Sequence, residues 1–268
     1  MALRFHKMHG LGNDFVVIDA REQAVTMTVG LARALADRKT GIGCDQLILI
    51  EPSAVATAKM RIFNADGGEV ESCGNATRCV VSLLGGEATV ETLGGLLDGR
   101  MIGGTVSVDL IEPRFDWDAI PLAYAMDTAR MPLGWDDLTD PVGVNVGNPH
   151  VVFFVDDVDA VPLNILGPQI ESDPLFPARI NVNIAQVVGP NHLKMRTFER
   201  GVGLTRACGT GACATGVAAI RRGLMKGPVT IDMPGGTLVI DWAPGRPVNM
   251  AGPATHVFTA EADLATFQ

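Results

Sequence analysis

The sequence predicts a mixed α/β (α+β) protein of two pseudo-symmetric domains from an internal duplication, each a strand-wrapped barrel around one central helix. Three observations predict it. Cys73-Gly74-Asn75-Ala76 and Cys208-Gly209-Thr210-Gly211 each open a short run of small and apolar residues that ends in glycine, at Gly85 and Gly223. Such a run reads as a buried helix with a stop signal, and Arg221-Arg222 places cations in the last turn of the second one. The two cysteines also lie 135 positions apart, and sliding the chain by that offset aligns separate windows. Lys59-Met60-Arg61-Ile62-Phe63 falls on Lys194-Met195-Arg196-Thr197-Phe198, Gly12-Asn13 on Gly147-Asn148, and Val16-Val17 on Val151-Val152. Further on, Gly103-Gly104-Thr105 resembles Gly235-Gly236-Thr237 after a small length change. Windows in one register mean a repeat. Finally, each half is mostly short β-rich runs with one short, small-residue helix, too little strand–helix alternation for a doubly wound sheet.

Taken in order, Phe5 to Met8 and Phe15 to Asp19 are strands around the turn Gly10 to Asp14. Thr28 to Asp37 has helical spacing, with Val29, Leu31, Ala32, Ala34 and Leu35 apolar. Gly41 to Gln46 is a tight turn into the strand Leu47 to Ile50, and Lys59 to Asn64 alternates as a strand before the Cys73 helix. Val90 to Thr92 and Thr105 to Ile111 read as strands separated by glycine turns. The proline-rich segment Pro113 to Pro141 reads as an inter-half linker plus an edge strand. The second copy gives strands at Val151 to Val155, Ile180 to Val188 and Leu193 to Phe198, then the Cys208 helix and a terminal hairpin. The expected domains are therefore 1–112 and 113–252, with the strand of about 253–268 returning to the first half.

Composition narrows the function. A formal charge of −9 with no basic run argues against nucleic-acid binding. No stretch approaches eighteen uninterrupted apolar residues, so no membrane span is expected. The residues after Met1 carry no apolar signal region, which points to the cytoplasm. Five cysteines do not read as a disulfide framework, so reduced thiols are the default.

A cysteine before an alanine-rich helix is, taken alone, most often a small buried hydrophobe. Its repetition changes the reading. At a helix N-terminus, orphan N–H groups and the dipole favour negative charge, which also lowers a thiol pKa. Two halves that face each other would bring two thiols and two carboxylate cradles to one cleft. A thiolate can then take a proton from one face of an α-carbon while a thiol returns one to the other. That is cofactor-independent racemisation or epimerisation of an amino acid.

Departures from the repeat support a zwitterionic substrate. Asn64 becomes Glu199, which supplies a charge for an α-ammonium; Arg200 falls on Ala65 and can answer a second carboxylate. Asn13, Gln46, Asn148 and Asn181 are amides at matched loop positions, although loop asparagines often only close turns. His150 either helps hold a thiol in its reactive state or is simply a satisfied loop histidine.

The motifs Met8-His9-Gly10-Leu11-Gly12-Asn13-Asp14-Phe15, Gly41 to Gln46, Cys73 to Cys79, Gly147-Asn148-Pro149-His150, Phe198 to Gly201 and Ala207 to Ala212 closely resemble the diaminopimelate epimerase family, over nearly the whole chain. The resemblance implies conversion of L,L-diaminopimelate to the meso form, in lysine and peptidoglycan precursor synthesis, with no pyridoxal phosphate or other cofactor and no metal. It implies Cys73 and Cys208 as the acid/base pair. Asn13, Gln46, Asn64, Asn148, Asn181, Glu199 and Arg200 would contact substrate, with Gly74-Asn75 and Gly209-Thr210 holding the reacting carboxylate. His150 and Glu199 would tune the thiols. A homodimer is also implied, with a departure at Phe258, where some members carry tyrosine.

Other classes fit less well. Proline racemases and hydroxyproline epimerases share the paired thiols, but their substrates lack a second amino-acid head for Arg200 and the amides. A cysteine phosphatase would need one more residue between Cys73 and Arg78, and a thiol oxidoreductase would want Cys-x-x-Cys. A zinc site needs clustered ligands, and His6 and His9 flank a strand where they would point to opposite faces. A binding module using the same cleft is the non-enzymatic alternative.

Overall fold

A computed structural model describes residues 2–71 and 73–267. The chain divides into two compact units: one runs to Val108 and takes back the segment from Gly252, the other is Asp109–Ala251. The class is mixed α/β, with many strands and few helices.

The first unit contains β1 (Ala2–Gly10), β2 (Asn13–Asp19), α1 (Val29–Ala36), β3 (Gln46–Glu51), β4 (Ala58–Asn64), β5 (Glu69–Val70), α2 (Gly74–Leu84), β6 (Glu87–Thr92), β7 (Gly95–Ile102) and β8 (Thr105–Asp109). β1 and β2 are antiparallel, β2 and β3 parallel, β3 and β4 antiparallel. One end of β4 pairs with β5 and the other runs parallel to β6, which turns back into β7. The Thr28 hydroxyl accepts from Leu31 N–H at 3.2 Å and so starts α1, whose Leu31, Ala32 and Leu35 join Val16, Leu47 and Leu49 in one core. Gly74 to Val81 of α2 are all buried, and the helix packs against β1, β6 and β7. It stops at Gly85, whose φ of 75° suits glycine.

The second unit contains the small hairpin β9 (Gly134–Trp135) and β10 (Leu138–Thr139), then β11 (Val142–Asn145), β12 (Pro149–Phe154), α3 (Leu163–Glu171), β13 (Asn181–Gly189), β14 (His192–Glu199), β15 (Gly203–Thr205), α4 (Gly209–Arg221), β16 (Val229–Met233), β17 (Gly236–Asp241) and β18 (Asn249–Gly252). β12 and β13 are parallel, β13 and β14 antiparallel, and β14 runs parallel to β16. α4 packs against β11, β12, β13 and β17, with Gly211 to Ala219 buried. The last strand, β19 (Thr255–Asp263), belongs to the first unit and pairs with β1 from Ala2↔Asp263 to His9↔Thr255.

The repeat is visible in the register. Phe15↔Gln46 in the first unit becomes His150↔Asn181 in the second, and Leu47↔Phe63 becomes Val182↔Phe198, each at the offset of the two cysteines. The same register places α3 where α1 falls. The sequence reading has no helix there, because Gly167 and Pro168 interrupt the pattern; Leu166 and Ile170 nevertheless stand at the positions of the core residues Leu31 and Leu35.

Three other expectations change. The reading has no strand over Gly95–Ile102, since that segment buries only Leu97 and Gly99 and lacks alternation. The glycine pair equivalent to Gly235-Gly236 is Gly94-Gly95: Thr92↔Gly95 closes the β6–β7 hairpin as Met233↔Gly236 closes β16–β17. The segment Pro113 to Pro141 is more than a linker. Its Ile120, Leu122, Met131 and Leu138 sit in the second unit's core with Phe153, Leu166 and Ile180, and Trp135 stacks on Phe176. Prolines hide this because they remove any period while leaving the apolar side chains to pack.

The approach of α3 to Phe198, the neighbour of Glu199 on β14, gives a test. A Cβ at Gly167 would lie 2.5 Å from the Phe198 ring. Alanine in a helix interior gains about 1 kcal/mol over glycine, whereas overpacking costs about 1–3 kcal/mol. The ring is rigid and adjoins the core, so overlap should win. Gly167→Ala is expected to lower stability by about 1–2 kcal/mol, read as a lower urea midpoint at unchanged slope. A higher midpoint would contradict this packing.

Candidate active site

In each unit the residues singled out by sequence lie at strand ends and at the start of the buried helix. Asn13 and Gln46 begin β2 and β3, Asn64 ends β4, and Cys73 is the N-cap of α2, followed by Gly74 and Asn75. In the second unit Asn181 begins β13, Glu199 ends β14, Arg200 follows it, and Cys208 is the N-cap of α4, followed by Gly209 and Thr210. Asn148 lies in the bend before β12 and His150 within that strand. Three of the four amides expected in loops are thus strand-terminal, which fixes them by backbone pairing. The structure gathers these residues into two clusters, one per unit.

In the first cluster the Cys73 backbone is extended, with φ −149° and ψ 110°. Asn13 Oδ1 accepts from Asn75 Nδ2 at 3.2 Å and faces Cys73 Sγ at 4.0 Å. Asn13 Nδ2 donates to Asp45 Oδ2 at 3.1 Å, and Gln46 Nε2 donates to Asn64 Oδ1 at 2.9 Å. Gln46 Oε1 and Asn75 Oδ1 are buried and have no hydrogen-bond partner among the described residues. Such atoms are few in folded proteins and each calls for an explanation, a ligand among them. Cys44 and Cys79 are of another kind. Burial pushes their thiols up to about 11 and about 12, as expected of small core hydrophobes.

In the second cluster Gly211 N–H donates to Cys208 Sγ at 3.3 Å, and Thr210 Oγ1 lies 3.6 Å from the same sulfur. The sequence suggests a lowered thiol pKa here, and the structure reverses that. Burial, then the charge of Glu199, push the Cys208 thiol well above its ordinary value, against weaker pulls from Thr210 and Gly211. Glu199 Oε1 accepts from Thr205 Oγ1 at 2.5 Å. Neutralising Glu199 would remove the charge effect and leave burial as the main upward one.

His150 is fully buried, and burial, followed by the charge of Arg200, pushes it down to about 3. Its Nε2 lies 2.9 Å from Asn148 Oδ1 and its Nδ1 3.1 Å from Asn183 Nδ2. Asn148 Nδ2 donates to Thr210 Oγ1 at 3.3 Å, so the imidazole reaches the Cys208 sulfur only through an amide and a hydroxyl. Arg200 is exposed; its N–H donates to Asn181 Oδ1 at 3.0 Å and its Nη1 to Ala178 O at 3.1 Å.

Sequence reasoning passes over three residues here: Asn183, Thr197 and Thr205. The signal for two of them lies in the repeat, since Asn183 and Thr197 fall on Ile48 and Ile62, as His150 falls on Phe15. Three apolar core positions of the first unit are polar in the second. Among the described residues no group of three or more His, Cys, Asp or Glu side chains is gathered for a metal, and no helix is long and apolar enough to cross a membrane.

The chain is similar to known proteins. A family model described as diaminopimelate epimerase matches residues 5–108 and 142–257. A diaminopimelate epimerase from Rhizorhabdus wittichii is 71% identical over 268 residues, covering 100% of this chain and 98% of the relative. Among solved structures, a phenazine biosynthesis protein of the PhzF family from Bacillus anthracis superposes with TM-score 0.70 at 16% identity, over 98% of this chain and 99% of the other. A hydroxyproline epimerase from Agrobacterium vitis superposes with TM-score 0.65 at 15% identity, over 97% and 91%. At such identities these two structures show a common fold.

The burial of His150 predicts a pH effect. Folded, it titrates at about 3; unfolded, near 6.5. Between these values the unfolded chain binds the extra proton. Its contribution to stability is therefore complete above about pH 6.5 and falls with acid, by at most about 1.4 kcal/mol per pH unit. Urea unfolding across this range should show a flatter acid decline in His150→Gln than in wild type. Equal slopes would contradict a neutral buried imidazole.

Proposed function

This chain belongs to the diaminopimelate epimerase family, and from that premise we propose that it interconverts L,L- and meso-diaminopimelate by two-thiol acid/base chemistry. The observation that carries the reading is the repeated one: each unit presents a cysteine as the N-cap of a helix buried along its first turns. The orphan N–H groups at Gly74-Asn75 and Gly209-Thr210 suit the reacting carboxylate, whose negative charge grows as the α-proton leaves. One cysteine, as thiolate, takes that proton. The other, as thiol, delivers its own to the opposite face, so the pair ends with its protonation exchanged and the α-carbon inverted. No electron sink outside the substrate is needed, in keeping with a reaction independent of pyridoxal phosphate and metal.

Glu199 is the proposed partner of the substrate α-ammonium. The raised thiol pKa of Cys208, due first to burial and then to the charge of Glu199, supports a coupled role: an ammonium that pairs with Glu199 offsets the second of these effects. Substrate binding would thus help to generate its own base. Asn64, opposite in the repeat, carries no charge, so one binding position differs from its counterpart. Arg200, with its exposed guanidinium, is assigned to the distal carboxylate, and Asn13, Gln46, Asn148 and Asn181 to the polar heads. The unpaired Gln46 Oε1 and Asn75 Oδ1 support a polar ligand in the first unit. His150 tunes Cys208 through Asn148 and Thr210. The place in lysine and peptidoglycan precursor synthesis is proposed from the family resemblance. A homodimer is proposed from the family resemblance, with Phe258 as the departure from it.

The direct test is incubation with L,L-diaminopimelate in pyridoxal-free, chelator-treated buffer, followed by chiral separation. Meso product is expected, and proline should not racemise; absence of meso product would overturn the reading. Glu199→Gln keeps the shape and removes the charge. A close ion pair is worth about 4 kcal/mol at intermediate dielectric, so turnover should fall on the order of 10²-fold or more with the fold intact. Wild-type turnover in this variant would remove Glu199 as the ammonium partner.

A further inference from the structure

The hydrogen bonds beneath Cys208 have a direction, and a backbone carbonyl sets it. Asn183 is fully buried, and its amide lies 3.3 Å from Val151 O and 3.1 Å from His150 Nδ1 on one side. On the other side it lies 3.0 Å from Thr197 Oγ1. A backbone carbonyl only accepts, so the group facing Val151 O is the NH₂. The same NH₂ then faces His150 Nδ1, which must present a lone pair, and the imidazole proton is left on Nε2. That proton points to Asn148 Oδ1 at 2.9 Å. Asn148 in turn presents its NH₂ to Thr210 Oγ1 at 3.3 Å, so this oxygen accepts there and its own proton is available to Cys208 Sγ, 3.6 Å away. As far as Thr210 each step follows from the one before, because the carbonyl, the two amides and the neutral imidazole have distinct donor and acceptor ends; the hydroxyl and the thiol can each donate to the other.

We propose that Asn183, held by Val151 O and Thr197, is a positioning residue that fixes the tautomer of His150 and thereby keeps a hydrogen-bond donor aimed at the sulfur of Cys208. The device belongs to one unit only. In the first, the equivalents of His150, Asn183 and Thr197 are Phe15, Ile48 and Ile62, all apolar, and the amide Asn13 is oriented instead by the Asp45 carboxylate at 3.1 Å. That carboxylate takes the NH₂ of Asn13 and turns its oxygen toward Cys73, so the two sulfurs meet opposite ends of equivalent amide systems. Gly211 makes room for the device: a Cβ there would lie 2.7 Å from Asn183 Oδ1 and 3.2 Å from Thr197 Oγ1. The proposal deepens the epimerase reading and rests on it for its catalytic consequence, but the tautomer is a property of the ligand-free protein.

The test is ¹⁵N NMR of histidine-labelled, ligand-free protein, with His150 assigned by comparison with His150→Gln. Wild type should carry the His150 proton on Nε2; a proton on Nδ1 overturns the proposal with no variant needed. Asn183→Asp replaces the donor by an acceptor at nearly constant shape. It should move the proton to Nδ1 and reverse the line, with kcat reduced about 10- to 100-fold and KM for diaminopimelate changed little. Asn183→Leu, which imitates the first unit, should give a mixture of tautomers if the aspartate variant does not fold. An Nε2 proton retained in a folded variant, or a shifted proton with unchanged kcat, would refute the role. If wild type failed to epimerise diaminopimelate at all, the activity would be wrong while the tautomer measurement stood on its own.

Discussion

A cysteine at the N-cap of a helix that is buried along its first turns imposes requirements on everything around it. The N-cap residue is extended, so its side chain lies beside the first N–H groups of the helix, which have no intrahelical acceptor. Burial keeps water from those groups and raises the effect of every nearby charge. It also leaves little room, which is why the first turns carry Gly74, Ala76, Gly209, Gly211 and Ala212, and why the strands around them must present polar atoms at defined places. Strand register supplies those places. The ends of β2, β3 and β4 bring Asn13, Gln46 and Asn64 to the Cys73 helix, and their counterparts in the second unit repeat the arrangement at the Cys208 helix.

Burial also accounts for the main reversal between sequence and structure. A helix N-terminus stabilises a thiolate, and the motif Cys-Gly-Thr-Gly announces such a terminus. What the motif does not carry is how completely the rest of the unit encloses it, nor that Glu199 arrives beside the sulfur from the end of β14. Both effects favour the thiol, against the weaker pulls of the Thr210 hydroxyl and the Gly211 N–H.

Much of the fold was legible because the repeat doubles each signal. The Cys73 and Cys208 helices, the strands bearing the amides and the exchange of Asn64 for Glu199 all stand in one register. What escaped did so for local reasons. Gly167 and Pro168 break the helical pattern of α3, although the register of α1 points to it. Gly103-Gly104 imitates the hairpin glycines Gly94-Gly95. Asn183 and Thr197 sit in β13 and β14, paired with each other at positions that otherwise read as core, and only comparison with Ile48 and Ile62 marks them. Where two copies of a unit differ by polar for apolar at buried positions, desolvation makes the change costly unless it is satisfied, so such differences identify function more sharply than motifs do.

The claim at the centre of this account is that Cys73 and Cys208 serve opposite faces of one α-carbon. Deuterium uptake from heavy water at that carbon, followed separately for the L,L and meso substrates in Cys73→Ala and Cys208→Ala, tests it most directly. Neither variant is expected to epimerise; any remaining uptake should be confined to one configuration at the reacting centre, and this configuration should switch between the two variants. Epimerisation persisting in either variant, or uptake with both configurations in one of them, would contradict it.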